Sequence, residues 1–168
     1  SPAMENLRAE VGPTESVGRD FESGIISELS PEGPPPRYNY TFQQEGKIRD
    51  QFKSLLAIAE DRGIRLDPQQ EKRIASSASR TMGGEEHDVF FFHQQDPGFV
   101  IKKTKSQSGF PGAAPAQYLD RWRRLGTLFP EIEPRLHGVS ESSIYVKQPF
   151  VEGSLYGDRA TLQSDMSS

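Results

Sequence analysis

The chain has 168 residues, of which 33% are hydrophobic and 26% charged, and it contains no cysteine. The lack of cysteine excludes a disulfide scaffold, a thiolate metal site and a cysteine nucleophile. The formal net charge of -4 argues against a general nucleic-acid binder, because such domains concentrate basic charge on one face. No stretch approaches the roughly 20 apolar residues of a membrane span and no signal-peptide pattern is visible, so we expect a cytoplasmic protein without a membrane partner.

The N-terminal segment is acidic and finishes in three consecutive prolines at residues 34–36. This composition predicts an acidic, Pro-rich, disordered tail over residues 1–39. Its charge complements a basic cluster later in the chain, so we expect the tail to fold back over that cluster at times. The cluster consists of Lys102, Lys103, Lys105, Arg121, Arg123 and Arg124.

Residues 40–80 are predicted to form a helical hairpin. The first helix carries apolar residues at helical spacing over residues 43–62, and Gly63 follows where a left-handed C-cap would fall. Residues 67–70 then supply an N-cap aspartate, a proline at the first helical position and a capping-box glutamine. The second helix is expected to run to about Ser79.

Beyond Gly84 the hydrophobic period changes from helical to alternating, which indicates strands. A β-hairpin is predicted over residues 88–104, and a second strand pair over residues 135–148. Between the pairs, an apolar stripe at helical spacing predicts one crossing helix; its members are Tyr118, Trp122, Leu125 and Phe129. The predicted fold class is therefore α+β, with the helical hairpin packed on a small antiparallel sheet, and residues 154–168 are expected to be a flexible C-terminal tail.

Several short segments of the second half, taken together, resemble a known family. They are residues 84–89, 98–102, 118–119, 128–129, 138–139 and 148–153. In order and spacing they resemble the N-lobe of the kinase-like domain found in polyvalent proteins of phages and mobile elements, over roughly residues 81–153. The resemblance implies a protein-kinase N-lobe-like fold and ATP as the cofactor. The module would then be either part of a longer ATP-dependent phosphotransferase or a degenerate remnant of such a domain.

The resemblance also nominates nucleotide-binding residues. In the strand pattern V-A-I-K, the small second residue lies over the adenine and the lysine binds the phosphates. Val100 and Lys102 match these two positions and share one strand face, whereas Lys103 points the other way. By the same resemblance, Gly84 and Val89 belong to the Gly-rich loop, and the adenine pocket is formed at the hinge by Gln148, Phe150 and Val151.

The chain departs from a complete kinase in ways that bear on catalysis. Only Gly84 matches one of the three loop glycines, and acidic residues stand beside it, which opposes anion binding. The crossing helix has no glutamate to pair with Lys102, and its one acid, Asp120, is expected to face water. No catalytic H-R-D loop and no D-F-G segment occur. We therefore predict no catalytic residue and no metal ligand in this chain.

Two alternatives stay open at this stage. Lys102 could be an ordinary solvated strand lysine. The chain could also be a non-catalytic protein-interaction module without a nucleotide, which holds a partner through an exposed aromatic face of residues 90–92 or through an unpaired sheet edge. The surface that packs on the sheet would then belong to a protein partner, to the missing C-lobe or to a second copy of the chain in a homodimer.

Overall fold

The computed structural model describes residues 19–30, 42–107 and 114–150. Within these ranges the chain forms four α-helices, one short 3₁₀ turn and five β-strands. In chain order the elements are α1 (Arg19–Leu29), α2 (Phe42–Asp61), α3 (Pro68–Ser77), β1 (Arg80–Gly83), β2 (His87–Phe92), β3 (Phe99–Thr104), α4 (Pro115–Leu128), the 3₁₀ turn (Pro130–Ile132), β4 (Arg135–Val139) and β5 (Ile144–Pro149). The predicted α+β class and the antiparallel character of the sheet are confirmed.

The five strands form one antiparallel sheet in the order β1-β2-β3-β5-β4. Both predicted strand pairs are present. Strand β1 was not predicted. The sequence predicts a helix up to about Ser79 and no strand between that helix and the hairpin of residues 88–104. All four β1 residues are exposed, so no alternating apolar pattern marks this edge strand in the sequence.

Successive side chains of each strand point to opposite faces of the sheet. We call one the α4 face; its residues are Val89, Val100, Lys102, Val146 and Gln148. We call the other the α3 face; its residues are Phe90, Phe92, Phe99, Ile101 and Tyr145. Helices α1, α2 and α4 pack with the α4 face in one hydrophobic cluster, whereas α3 covers the α3 face through Ile74. Different helices therefore pack on the two sides of the sheet.

Both helices of the predicted helical hairpin are present, but they do not pack against the same side of the sheet. Gly63 has a φ of +74°, and Asp67 and Gln70 form a reciprocal capping box at the start of α3, as the sequence predicts. However, the buried residues of α2 and Ile74 of α3 belong to clusters on opposite faces of the sheet. The linker between them runs beside β4, where the Leu66 N–H donates to the Val139 carbonyl at 2.9 Å, and Leu66 itself belongs to the cluster on the α3 face.

The prediction of disorder over residues 1–39 is wrong for α1. Its residues Ile25, Ile26 and Leu29 are buried in the same cluster as Leu119 of α4. Among the α1 side chains that the structure describes, residues 24–29, these three make an apolar attachment, and Glu28 forms an exposed ion pair with Arg62 at 3.3 Å. The rest of the predicted N-terminal tail, residues 1–18 and 31–39, lies outside the described residues, and so does the predicted C-terminal tail.

Residues Phe90, Phe91 and Phe92 are all buried, at 7%, 3% and 3% exposure. Three consecutive phenylalanines predict either burial on both strand faces or one face left exposed for a partner; the first alternative is confirmed and the exposed aromatic face is wrong. Phe90 and Phe92 pack on the α3 face, and Phe91 points to the other side, where it contacts Phe150. Among the described helices, none is both long enough and apolar enough to cross a membrane.

Candidate functional site

Four of the seven candidate nucleotide-binding residues lie on the α4 face. Val89 is directly opposite Lys102, and Val100 is directly opposite Gln148. Phe150 follows β5 and joins this side through Phe91, with ring centroids 6.1 Å apart. Gly84 lies apart from them in the turn between β1 and β2, and Val151 lies outside the described residues. The sheet register thus brings residues of three strands together on one face. Strand alternation alone relates only residues of the same strand, here Val100 and Lys102.

Lys102 is 3% exposed, so the alternative of a solvated strand lysine is wrong. Its Nζ lies 5.0 Å from the centroid of the Trp122 ring on α4. Lys103 points to the opposite face, as predicted, where its Nζ lies 3.9 Å from a carboxylate oxygen of Glu71 and 5.9 Å from the Tyr145 ring centroid. Two adjacent lysines therefore have different surroundings, one under a buried indole and one at an ion pair.

A half-buried histidine, His87, and a buried tyrosine, Tyr118, lie beside Lys102. His87 Nε2 and the Tyr118 hydroxyl are 2.7 Å apart, in a hydrogen bond that either group can donate. Burial, followed by the charges of Lys102 and Arg121, lowers the pKa of His87 from 6.5 to about 3. Burial also raises the pKa of Tyr118. Both side chains are therefore uncharged near neutral pH.

The sequence analysis did not identify this His87, Tyr118 and Trp122 cluster as part of the site. Tyr118 and Trp122 were assigned only to an apolar stripe, and the ring centroids of His87 and Trp122 lie 6.0 Å apart in the fold. A signal was present, because His87 and Val89 are two residues apart in β2 and must share a face. Which helix covers that face could not be read from the pattern.

The acidic residues of the β1–β2 turn are partly compensated. Glu86 lies 3.8 Å from Arg121 of α4, and Asp88 lies 3.8 Å from Lys105. The Gly84 N–H donates to the His87 carbonyl at 2.8 Å, and a Cβ at Gly84 would approach that oxygen to 3.3 Å. The negative charge of the turn is therefore smaller than its sequence suggests, and its tightness favours glycine.

Asp120 is buried at 4% exposure, so the prediction that it faces water is wrong. It accepts hydrogen bonds from Arg123 at 2.6 Å and pairs with Arg124 at 3.1 Å. The error arises because helix α4 is covered on more than its sheet-facing side, since α1 and α2 share its hydrophobic cluster. The arginines that the sequence analysis placed in one basic cluster are consequently divided among local ion pairs.

Gln148 stands out at the other end of the face. It is 4% exposed, and its side-chain oxygen has no hydrogen-bond partner among the described residues. Such a buried acceptor is uncommon in folded proteins, and leaving one unsatisfied costs roughly 1–3 kcal/mol. Next to this region the Phe150 ring also approaches His93, with centroids 5.6 Å apart. This end of the face is thus aromatic, with one polar atom that can still accept a hydrogen bond.

An open pocket in the described part of the chain lies elsewhere, at the junction of α2 and α3. Arg65 lies in it between two carboxylates, 3.0 Å from Glu60 and 3.2 Å from Glu141. None of the candidate nucleotide-binding residues lines this pocket. We place the candidate site on the sheet face, because the charged groups of this pocket already pair with each other.

No family model matches the chain, and no match is found among curated proteins or solved structures. The proposals below therefore depend on the geometry of the sheet and on the sequence pattern.

Proposed function

We propose that this chain is a nucleotide-binding, protein-kinase N-lobe-like module, of the kind that occurs in polyvalent proteins of phages and mobile elements. The observation that carries the proposal is that Val89, Val100, Lys102 and Gln148 lie on one face of the sheet. An adenine nucleotide such as ATP would lie along this α4 face, with its phosphates toward Lys102 and its base toward Gln148.

The order of elements supports the phosphate end of this assignment. In protein kinases a Gly-rich loop covers the phosphates, the phosphate-binding lysine is on the third strand and a helix follows it. Here Gly84 lies between the first two strands, Lys102 lies on the third, and α4 comes next. The edge strand β1, which the sequence analysis missed, is what makes β3 the third strand.

The chemistry around Gln148 supports the base end. An adenine presents an exocyclic amino group, which can donate to the unsatisfied oxygen of Gln148. The aromatic rings of Phe91 and Phe150 lie nearby, and aromatic side chains are common in the walls of small-molecule sites. A bound base would remove the penalty of the buried, unsatisfied acceptor.

Phosphoryl transfer would require residues that this sequence lacks. No catalytic aspartate loop and no metal-binding D-F-G segment occur in its 168 residues. We therefore propose binding without transfer by this chain, and transfer only when a C-lobe supplies the base and the metal ligands.

Nucleotide binding is tested by thermal unfolding with ATP, with and without magnesium. A ligand that binds only the folded state stabilises it by about 2.7 kcal/mol at a concentration of 100 times Kd. We expect a rise in Tm for the parent chain and a much smaller one for Lys102→Met, which keeps the length of the side chain but removes its charge. Lys103→Met is the matched control on the other face and should keep the rise. No rise for the parent at millimolar ATP, or equal rises for the two variants, would refute the proposal.

A second candidate function, a protein-interaction module, is favoured by strand β1. It is the terminal strand of the sheet, and its four residues are exposed, including Met82 at 40%. An open edge strand can pair with another chain, including a second copy of this one. Sedimentation would show concentration-dependent association that Met82→Lys abolishes if the second copy is the partner. A monomer at all concentrations would exclude that form of the candidate.

A further inference from the structure

We propose that Trp122 is a positioning residue for Lys102, an inference that rests on the nucleotide-binding function proposed above. The ammonium lies 5.0 Å from the indole centroid, and the two residues are 3% and 5% exposed. A cation is attracted to the face of an aromatic ring, most strongly to tryptophan and when water is excluded. The contact therefore fixes where the lysine charge lies on the α4 face.

The position of Trp122 on its helix makes this contact unusual. Protein kinases hold the strand lysine with a glutamate from the helix that follows the strand. In this chain the acid on that helix, Asp120, is bound by Arg123 and Arg124. The helix residue that lies against Lys102 is an aromatic ring instead of a carboxylate.

The indole is itself held by neighbouring rings. Tyr118, one turn earlier on α4, lies 6.3 Å from it at an interplanar angle of 76°. His87 lies 6.0 Å from it at 66°, and the hydrogen bond between His87 and Tyr118 joins the two supporting rings. Because all three are packed between the sheet and α4, the ring that Lys102 contacts is preorganised.

The contact has a chemical consequence for ligand binding. The charge of Lys102 attracts a phosphate group and offers no such attraction to an uncharged nucleoside. Lys102 should therefore contribute more to binding a triphosphate than to binding the uncharged nucleoside. The preference for ATP over adenosine is the quantity that should depend on Trp122.

The first test reads the contact directly and needs no nucleotide. Trp122 is the one tryptophan of the chain, so ring-current shifts from indole have a single source. In NMR spectra the Cε protons of Lys102 should be shifted upfield in the parent and should return to ordinary lysine positions in Trp122→Leu, with a smaller return in Trp122→Phe. Lys103 is the internal reference on the opposite face. Ordinary positions for Lys102 in the parent would overturn the inference.

The second test measures the affinities for ATP and adenosine on the full chain. We expect Trp122→Leu to lower the ATP preference roughly 2- to 30-fold, the range from exposed to desolvated cation–π contacts, and Trp122→Phe to lower it less. Lys102→Met should lower it as well, and combining it with Trp122→Leu should add little. Leu119→Ala, a buried substitution on the same helix, should reduce stability but preserve the preference.

The outcomes separate the inference from the proposed function. If neither ligand binds the parent, the nucleotide proposal fails, and the NMR test still decides whether Trp122 holds Lys102. If both ligands bind and Trp122→Leu keeps the full ATP preference, the nucleotide proposal stands and the positioning role of Trp122 is rejected.

Discussion

The two faces of the sheet are made by the same strands and differ in chemistry. The α3 face is aromatic, with Phe92 and Phe99 stacked at 4.8 Å, and α3 covers it. The α4 face buries Lys102, Thr104 and Gln148 among its apolar residues. Adjacent residues of one strand thus have different environments, because their side chains point to opposite faces of the sheet and different helices pack on the two faces.

The buried polar residues of the α4 face are not equivalent. The Thr104 hydroxyl donates to the Ser106 carbonyl at 2.7 Å and accepts from the Ile144 N–H at 2.9 Å, so its hydrogen-bonding capacity is used in the fold. The Gln148 oxygen has no such partner among the described residues. We infer that the α3 face serves packing, and that the α4 face combines packing with binding.

The largest effect should come from breaking the packing of the α3 face. Phe92→Ala removes one ring of the stacked pair and leaves a cavity, which should lower the free energy of unfolding by about 3–5 kcal/mol. Urea denaturation measures the loss, and Phe92→Leu should lose less. If any folded Phe92→Ala protein changed its preference between ATP and adenosine, the division of roles between the faces would be wrong.

Lowering the pH should lower the free energy of unfolding through His87, which lies on the α4 face. Its pKa of about 3 in the folded state lies below its ordinary 6.5, so the unfolded chain binds the proton first. Stability should therefore fall as pH falls from 6.5 toward 3, by roughly 1.4 kcal/mol per pH unit for this group. His87→Gln should remove that part of the slope when unfolding is compared at pH 7.5 and pH 4.5.

His137 offers a second histidine against which this acid effect can be compared. Burial, and then the charge of Lys147, lowers its pKa to about 3 as well. His137→Gln should reduce the slope by a similar amount, and the double variant by about twice as much. An acid slope that is the same in His87→Gln and in the parent would contradict the neutral state assigned to His87.

A smaller effect is expected at the rim of the α3 face. The Tyr145 hydroxyl donates to Glu71 of α3 at 2.8 Å, and this bond links the helix to β5. Tyr145→Phe should lower the free energy of unfolding by about 1–2 kcal/mol, toward the lower part of the range for bonds to charged groups because Glu71 is partly solvated. Chemical denaturation tests this value, and a loss of Lys102-dependent ATP binding in the same variant would argue against separate faces.

The smallest effect should come from the start of α3. The Asp67 carboxylate accepts from the Gln70 N–H at 2.8 Å, and Asp67→Ala removes this cap. We expect a loss of about 1 kcal/mol, whereas Asp67→Asn should lose little because asparagine also caps well. Equal Tm values for the parent and Asp67→Ala would show that α3 is held on the sheet without its cap.

Local patterns were sufficient for most of the elements and for part of the candidate site. The capping box at Asp67, the φ of Gly63 and the opposite directions of Lys102 and Lys103 follow from short-range geometry. Helix α1 was missed because its surroundings are acidic and Pro-rich, although Ile25 and Leu29 anchor it. Strand β1 was missed because an exposed edge strand needs no apolar alternation.

The sequence by itself determined the α+β class, the two strand pairs and the common face of Val100 and Lys102, because these depend on periodicities within a few residues. Only the tertiary structure decided that Trp122 of α4 lies against Lys102. It also decided that Asp120 is buried and that Gln148 keeps an unsatisfied oxygen. The physical reason is that burial and pairing depend on which distant elements cover a residue, and that is fixed by the packing of the whole chain.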